Sequence, residues 1–492
     1  MARILFIKTA KTENPYRLSV SPPMGVMSLA AFLRQERNGK DAFKIVDERV
    51  EWKSNDEWAK LVAEFKPDII GISSMTIEAY RLHRLAKMLK GIAPSIPIIS
   101  GGPHATAYGN KLLDDPNIDF ILRGEGEISF LKFIAAFEQD RDFDSVPGLT
   151  YRKRNGEISS APPNMELVNL SALPYPAWDL ISLEPYSRTY AMAPIGFRRY
   201  AAVITSRGCP YRCVYCHNIF TKAYRFAAPN RVVDEIEHIS KTYNVSEFEI
   251  YDDIFNLDYA RTEAILDEII ARRLNLKLCF PNGLRGDRLD ENLVKKLRRA
   301  GTHYLTLAVE SASPRIQKQI RKNLKLDKVK EAIRLAANER ILTGGFFMLG
   351  FPGETREEIL ETVNFAVSSH LHLAFFFIVI PFEGTELGDS VPNPLSYEDL
   401  MNGDYHRSKN SLAEVSAREL SLLQLKAYYD FYASPKRLYR LVRDFPYSYA
   451  HILRQGQRLA SYWTFRAHID RVKERFFGKS SGVSYASEIK SD

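Results

Sequence analysis

Three of the four cysteines in this 492-residue chain stand together in Cys209-Pro-Tyr-Arg-Cys213-Val-Tyr-Cys216, and no other feature constrains the fold as tightly. Three soft ligands on one short loop oblige the surrounding backbone to present them to a common group. A structural zinc site takes four ligands, usually as two close pairs. The remaining Cys279 instead sits alone in the apolar run Leu276 to Phe280, where it reads as a core residue. A disulfide framework needs more cysteines in so long a chain, and no secretory leader opens it. An electron-transfer ferredoxin adds a fourth cysteine nearby or shows the plant-type spacing. The reading left is an iron-sulfur cluster held by Cys209, Cys213 and Cys216, with one iron open to chemistry, in a reducing environment.

Downstream, short apolar runs alternate with amphipathic segments from Tyr200 to about Pro381, which predicts repeated βα units and a parallel sheet. The expected strands are 200–205, 247–251, 276–281, 303–309, 345–349 and 373–380. Polar residues fall at their carboxyl ends, where barrel enzymes build their sites. Asp252 and Asp253 follow the second strand, Asn282 and Arg285 the third, Glu310 and Ser311 the fourth, and Gly350-Phe-Pro-Gly353 the fifth. Carboxylates suit an ammonium or ribose hydroxyls, and glycine admits a flat base against the backbone.

The spacing CxxxCxxC, with the aromatic Tyr215 before the third cysteine, resembles the radical S-adenosylmethionine superfamily. The resemblance implies a [4Fe-4S] cluster whose open iron takes S-adenosylmethionine, and a partial (β/α)6 barrel matching the six units. It implies that Tyr215, Asp252, Asp253, Arg285, Glu310, Ser311 and Gly350 surround S-adenosylmethionine. It also implies an external electron donor of flavodoxin or ferredoxin type.

The first 140 residues predict a second α/β unit, with strands at 3–8, 43–46, 69–73, 96–100 and 120–122. Between them Ser54-Asn-Asp-Glu57 is a capping box, followed by Trp58, Leu61, Val62 and Phe65 at helical spacing. Five strands with crossover helices make a doubly wound, Rossmann-like sheet that binds ligands at its carboxyl edge. That edge is lean: Ser73-Ser74, Gly101-Gly102-Pro103-His104 and Arg123-Gly124-Glu125-Gly126-Glu127 admit a bulky ligand, and no GxGxxG follows the first strand. Together with Pro22-Pro-Met-Gly25, these segments resemble the cobalamin-binding domain that precedes the radical barrel in one subgroup. The resemblance implies cobalamin contacts at Ser73, Ser74, Gly101, Gly102, Pro103, His104, Gly124 and Glu125. No Asp-x-His-x-x-Gly follows the first strand, so cobalt is expected to have a weak or absent lower ligand, with His104 a loop contact.

The expected organisation is a cobalamin-binding domain at 1–144, a linker with a β-ribbon at 145–197, the barrel at 198–390 and a basic helical region at 391–492. The ribbon, Tyr151 to Ile158, is expected to pack the first domain over the barrel mouth. Residues 431–492 hold 12 Lys plus Arg against 5 Asp plus Glu, nearly all of the net charge of +8. With aromatics Phe445, Tyr449, Tyr462, Trp463 and Phe465 interleaved, this region suits a membrane surface or anionic lipid, or simply a solvated helical cap. No nucleic-acid recognition motif is present, and no nucleic acid is expected. The expected location is cytoplasmic, with membrane association through this tail. The resemblance implies methyl transfer from methylcobalamin to an unactivated carbon of an apolar or ring-bearing small molecule. Oxidative cyclisation of tetrapyrrole type, and a non-catalytic cobalamin or redox sensor, remain as alternatives.

Overall fold

The computed structural model describes residues 1–11, 19–139, 143–162, 164, 166–217, 219–392, 396–398 and 411–448. The chain forms two compact units, Met1–Leu441 and Val442–Asp492, and every sheet lies in the first. The aromatic and basic residues read beyond position 448 lie outside the described residues.

The fold is α/β, and its first sheet runs β1 (Arg3–Lys8), β2 (Ala42–Asp47), β3 (Ile69–Ser73), β4 (Ile98–Gly101) and β5 (Phe120–Leu122) in parallel, in the order β2-β1-β3-β4-β5. Helices α1 (Met24–Glu36), α2 (Asn55–Phe65), α3 (Ala79–Ile92), α4 (Gly102–Leu112) and α5 (Gly126–Glu138) make the crossovers. Strand alternation sends Ile4 and Phe6 into one core with Met27, Phe130 and Phe133, and Leu5 and Ile7 into the opposite core with Trp58, Leu61 and Leu82. Ser54 and Glu57 close the expected capping box of α2.

The ribbon forms, but as β6 (Leu149–Arg152) and β7 (Ile158–Ser160), antiparallel additions to β5 that extend the first sheet to seven strands. The physical reason is the open edge of the short β5, whose unpaired backbone the ribbon covers.

Six parallel strands make the second sheet: β8 (Ala201–Val203), β11 (Glu247–Ile250), β12 (Lys277–Leu284), β13 (Thr302–Glu310), β14 (Leu342–Leu349) and β15 (Leu373–Ile378). They stand in chain order, the pattern of a partial barrel, with α6 (Pro229–Tyr243), α7 (Tyr259–Ala271), α8 (Glu291–Arg299), α9 (Leu326–Asn338) and α10 (Arg356–Ser368) between them. Between β8 and β11 lies a separate two-stranded ladder, β9 (Ser206–Arg207) with β10 (Arg225–Phe226). The outer strand β15 is covered by helix α11 (Ala417–Tyr432), whose Tyr428 and Tyr432 hydroxyls accept from the Phe376 and Ala374 N–H groups at 3.0 and 3.3 Å.

Candidate functional site

The cysteine loop hangs between β9 and β10. Gly208 opens it at φ +83°, and a Cβ there would overlap the Ala223 carbonyl oxygen, so only glycine lets the two ends of the loop close. The Gly208 N–H donates to Asp253 Oδ2 at 3.1 Å, and the Arg285 guanidinium lies 3.9 Å over the Tyr211 ring. Cys209 and Cys213 are half-buried and Cys216 is exposed. Burial raises the Cys209 thiol. Positive metal charge is what such thiols need in order to ionise and bind. Among the described residues no three His, Cys, Asp or Glu side chains converge on one point, as a single zinc ion would require. A four-iron cube takes each thiolate on a different iron, so the donor set fits that group.

The residues expected around S-adenosylmethionine divide into two sets. Asp252 is an internal anchor: buried, it accepts from the Thr205 N–H (2.6 Å), the Thr205 hydroxyl (2.5 Å) and the Ser206 hydroxyl (2.6 Å), fixing the backbone that leads into the cysteine loop. Burial raises its carboxyl, and Arg261 opposes the rise. Three donors within the chain thus already occupy the Asp252 carboxylate. Ser311 is likewise buried and bonds the Thr362 hydroxyl on α10, and Arg285 binds Asp287 and the Lys322 and Asn323 carbonyls. Both are tied to neighbouring segments of the chain by these bonds.

In the other set, Asp253 and Asn282 are exposed beside the loop. Glu310 ends β13 at φ +68°, a conformation costly for a residue with a Cβ, and pairs with Lys322 at 3.0 Å. Tyr215 packs 5.9 Å from Phe351, and burial, with the Glu310 charge, raises its phenol well above the ordinary value. Gly350 (φ +97°) and Phe351 donate their N–H groups to the buried Glu354. Tyr215, Glu310, Gly350 and the cysteine loop are thus gathered at the carboxyl ends of the strands.

At the edge of the first sheet, Gly124 (φ +81°) has open space where a Cβ would stand, and Gly101 nearly so, its nearest neighbour being Leu122 O at 3.9 Å. Gly102 adopts φ +84° over Ser73, whose Oγ would lie 2.7 Å from a Cβ. Ser74 Oγ is buried with no partner among the described residues. Bare backbone and an unanswered hydroxyl fit a broad ligand such as a corrin.

Two expected contacts do not. Pro103 and His104 lie in the first turn of α4, not in a loop, because the helix starts directly from β4. His104 is wholly buried, with Nε2 2.7 Å from the Tyr397 hydroxyl and Nδ1 3.3 Å from Thr76 Oγ1. Burial drives its pKa down to about 3, so the ring is neutral and enclosed. Glu125 faces Arg207 and Arg225 at the base of the cysteine loop.

Sequence reasoning missed those arginines, Lys322 and Tyr397, each of which acquires its role only across long chain separations. It also missed the barrel's inner face. On β14 and β15, buried Phe347, Leu349, Phe376 and Ile378 alternate with half-buried Phe346, Met348, Phe375 and Phe377. The half-buried set faces the interior, with Phe346 5.6 Å from Phe375 and 5.7 Å from Phe377.

Residues 203–366 match the radical SAM superfamily and residues 17–134 the B12 binding domain. An uncharacterized methyltransferase of Pyrococcus horikoshii is 32% identical over 427 residues, 85% of this chain and 90% of that one. The anaerobic magnesium-protoporphyrin IX monomethyl ester cyclase of Rubrivivax gelatinosus is 29% identical over 79% of this chain and 70% of its own length. Among solved structures, the radical S-adenosylmethionine methyltransferase TsrM from Kitasatospora setae, with cobalamin and a [4Fe-4S] cluster bound, has the same fold. Its TM-score is 0.67 at 18% identity, over 89% of this chain and 92% of that chain.

Proposed function

The chain belongs to the cobalamin-dependent radical S-adenosylmethionine enzymes, and from that premise we propose that it methylates an unactivated carbon of an apolar or ring-bearing small molecule. Methyl transfer is supported above all by the 32% identity to a methyltransferase across 85% of this chain. The apolar substrate is supported by Phe346, Met348, Phe375 and Phe377 on the inner face of the barrel.

In this reading Cys209, Cys213 and Cys216 hold the cluster. Tyr215, Asp253, Glu310 and Gly350 line the place for S-adenosylmethionine, and Ser73, Ser74, Gly101, Gly102 and Gly124 that for cobalamin. When bound, these groups supply a carbon-centred radical and a methyl group, the chemistry that no side chain provides. The protein's own contribution is placement. Glu310 offers its carboxylate to hydroxyl donors, Gly350 brings backbone close to a flat ring, and the four apolar residues orient the substrate while excluding water. An external one-electron donor of flavodoxin or ferredoxin type completes the proposal.

The test is anaerobic incubation of the cluster- and cobalamin-reconstituted protein with S-adenosylmethionine carrying a deuterated methyl group and with apolar candidate substrates. Visible spectra and product masses are followed. Alkylation of cobalamin and a labelled methyl group in the product are expected. An unlabelled product that has lost hydrogen or gained oxygen would transfer the assignment to cyclisation, the chemistry named in the cyclase relative. Failure to bind cobalamin would overturn the proposal.

A further inference from the structure

The base of the cysteine loop carries an electrostatic arrangement that β9 and β10 cannot satisfy alone. Arg207 and Arg225 are directly opposite each other in that ladder. Like charges at such positions destabilise a strand pair. Both are largely buried, their side chains 9% and 15% exposed, so water screens them poorly. The neutralising charge comes from the segment after β5 in the other sheet, Glu125 in the loop and Glu127 in the first turn of α5. Glu125 binds Arg207 through Oε2 at 2.8 Å and Arg225 through Oε1, and Glu127 binds Arg207 at 2.7 Å. Arg225 otherwise donates to the Val168 carbonyl at 3.2 Å, and its Nε has no partner among the described residues. Two guanidiniums and two carboxylates balance.

Glu125 touches both ends of the loop at once. Arg207 lies two residues before Cys209, and Arg225 follows the segment that ends in Ala223, on which Gly208 closes. On its other side Glu125 is bonded in the chain to Gly124, whose N–H donates to Thr106 Oγ1 at 3.0 Å and whose open face belongs to the lean edge of the first sheet. One residue therefore connects the two cofactor places.

We propose that Glu125 is a positioning residue that holds the cysteine loop closed from the cobalamin edge, so that cluster assembly and occupation of that edge favour one another. This rests on the cofactor assignments of the proposed function. Such coupling is reciprocal and is typically worth roughly 5- to 150-fold in affinity.

The experiment measures the cobalamin dissociation constant of the full chain, anaerobically, before and after cluster reconstitution. Iron and sulfide content and the EPR spectrum of the reduced cluster are followed in parallel. In the wild type, cluster loading should tighten cobalamin binding at least fivefold. In Glu125→Gln that factor should fall towards one and the EPR line shape should broaden. Because Glu125→Gln leaves two buried arginines facing a single carboxylate, Glu125→Gln/Arg225→Gln restores the charge balance. The double variant should recover thermal stability without recovering the coupling. A role in stability alone predicts that it recovers both, and that result overturns the proposal. So does a wild type that binds both groups with no dependence of one on the other. A wild type that assembles no cluster, or binds no cobalamin, removes the cofactor assignments and the inference together.

Discussion

Replacing Gly208 by alanine isolates the geometry that closes the cysteine loop. At φ +83° any residue with a Cβ loses about 1–2 kcal/mol of backbone energy. That term alone is visible in Gly156→Ala, since Gly156 has φ +86° and nothing within 4 Å of a Cβ. At Gly208 the added carbon would also overlap the Ala223 carbonyl oxygen and lie 3.1 and 3.2 Å from Ala223 C and Phe220 O. Reaching ordinary carbon–oxygen separation of about 3.3 Å requires the two ends of the loop to part by roughly 1 Å. That movement stretches the Gly208 N–H bond to Asp253 and the short β9–β10 pairing. With one backbone hydrogen bond contributing about 1 kcal/mol, the total comes to about 2–3 kcal/mol. A penalty of that size lowers the closed-to-open ratio of the loop by roughly 30- to 160-fold. After anaerobic reconstitution, Gly208→Ala should hold less than about a tenth of the wild-type iron and sulfide, while Gly156→Ala reconstitutes normally. Equal iron, sulfide and EPR intensity in the two variants would refute the argument from loop closure.

Asp252→Ala should destabilise the protein by about 3 kcal/mol, because it leaves the Thr205 N–H buried without an acceptor, whereas Asp252→Asn keeps that acceptor and should cost less. Denaturant titration separates the two, and an Ala variant as stable as the wild type excludes the anchoring role. Glu310→Ala should weaken S-adenosylmethionine binding by roughly tenfold, the scale of one bond to a charged group, while leaving the cluster EPR signal unchanged; equilibrium dialysis showing unchanged affinity removes Glu310 from the site. Burial pushes Glu354 up to about 7 from an ordinary 4.5, helped by Glu358 and opposed by the Gly350 and Phe351 N–H groups and by Arg315. With the folded value above the unfolded one, the group's stabilisation is complete below about 4.5 and is lost as pH rises through 7, about 3 kcal/mol in all. Unfolding midpoints from pH 5 to 8 should vary less in Glu354→Gln, and an unchanged slope excludes Glu354 as the source.

The strands were legible because parallel strands buried on both faces read as continuous apolar runs, and ten of the eleven expected segments fall within two residues of the observed start. The exception is instructive. β14 begins at Leu342 and not Gly345, because Gly344 and Gly345 resemble a strand break in sequence. In space they are required: a Cβ on Gly344 would come within 2.9 Å of Tyr304 Oη, and one on Gly345 within 2.6 Å of Leu371 Cδ1. Among the candidate site residues, the cysteines and glycines stand out in the sequence, since their chemistry or their φ leaves few other uses. Asp252 and Asp253 were not separable, because adjacent residues at a strand end point to opposite sides and sequence does not say which side is open. His104 was misplaced for a related reason: a Gly-Gly-Pro run reads as a loop, yet here proline occupies the first turn of α4.

Glu125 shows where local reading stops. Its glycine-rich surroundings single out a lean edge of the first sheet, but its partners lie 82 and 100 residues away, in a ladder of only two residues per strand. Nothing in the periodicity of either segment links them. The constraint that does so is electrostatic: a buried guanidinium needs a carboxylate, and two facing each other need it more. The barrel half of this chain is therefore not self-sufficient at the point where its chemistry begins. Removing the first sheet would leave Arg207 and Arg225 opposed across β9 and β10 without Glu125 or Glu127, and the loop carrying Cys209 would lose the charge that holds its ends together. The contact between the two sheets' loops is thus a condition for closing the cysteine loop, and the same four residues that neutralise one another also set how far that loop and the carboxyl edge of the first sheet can act independently.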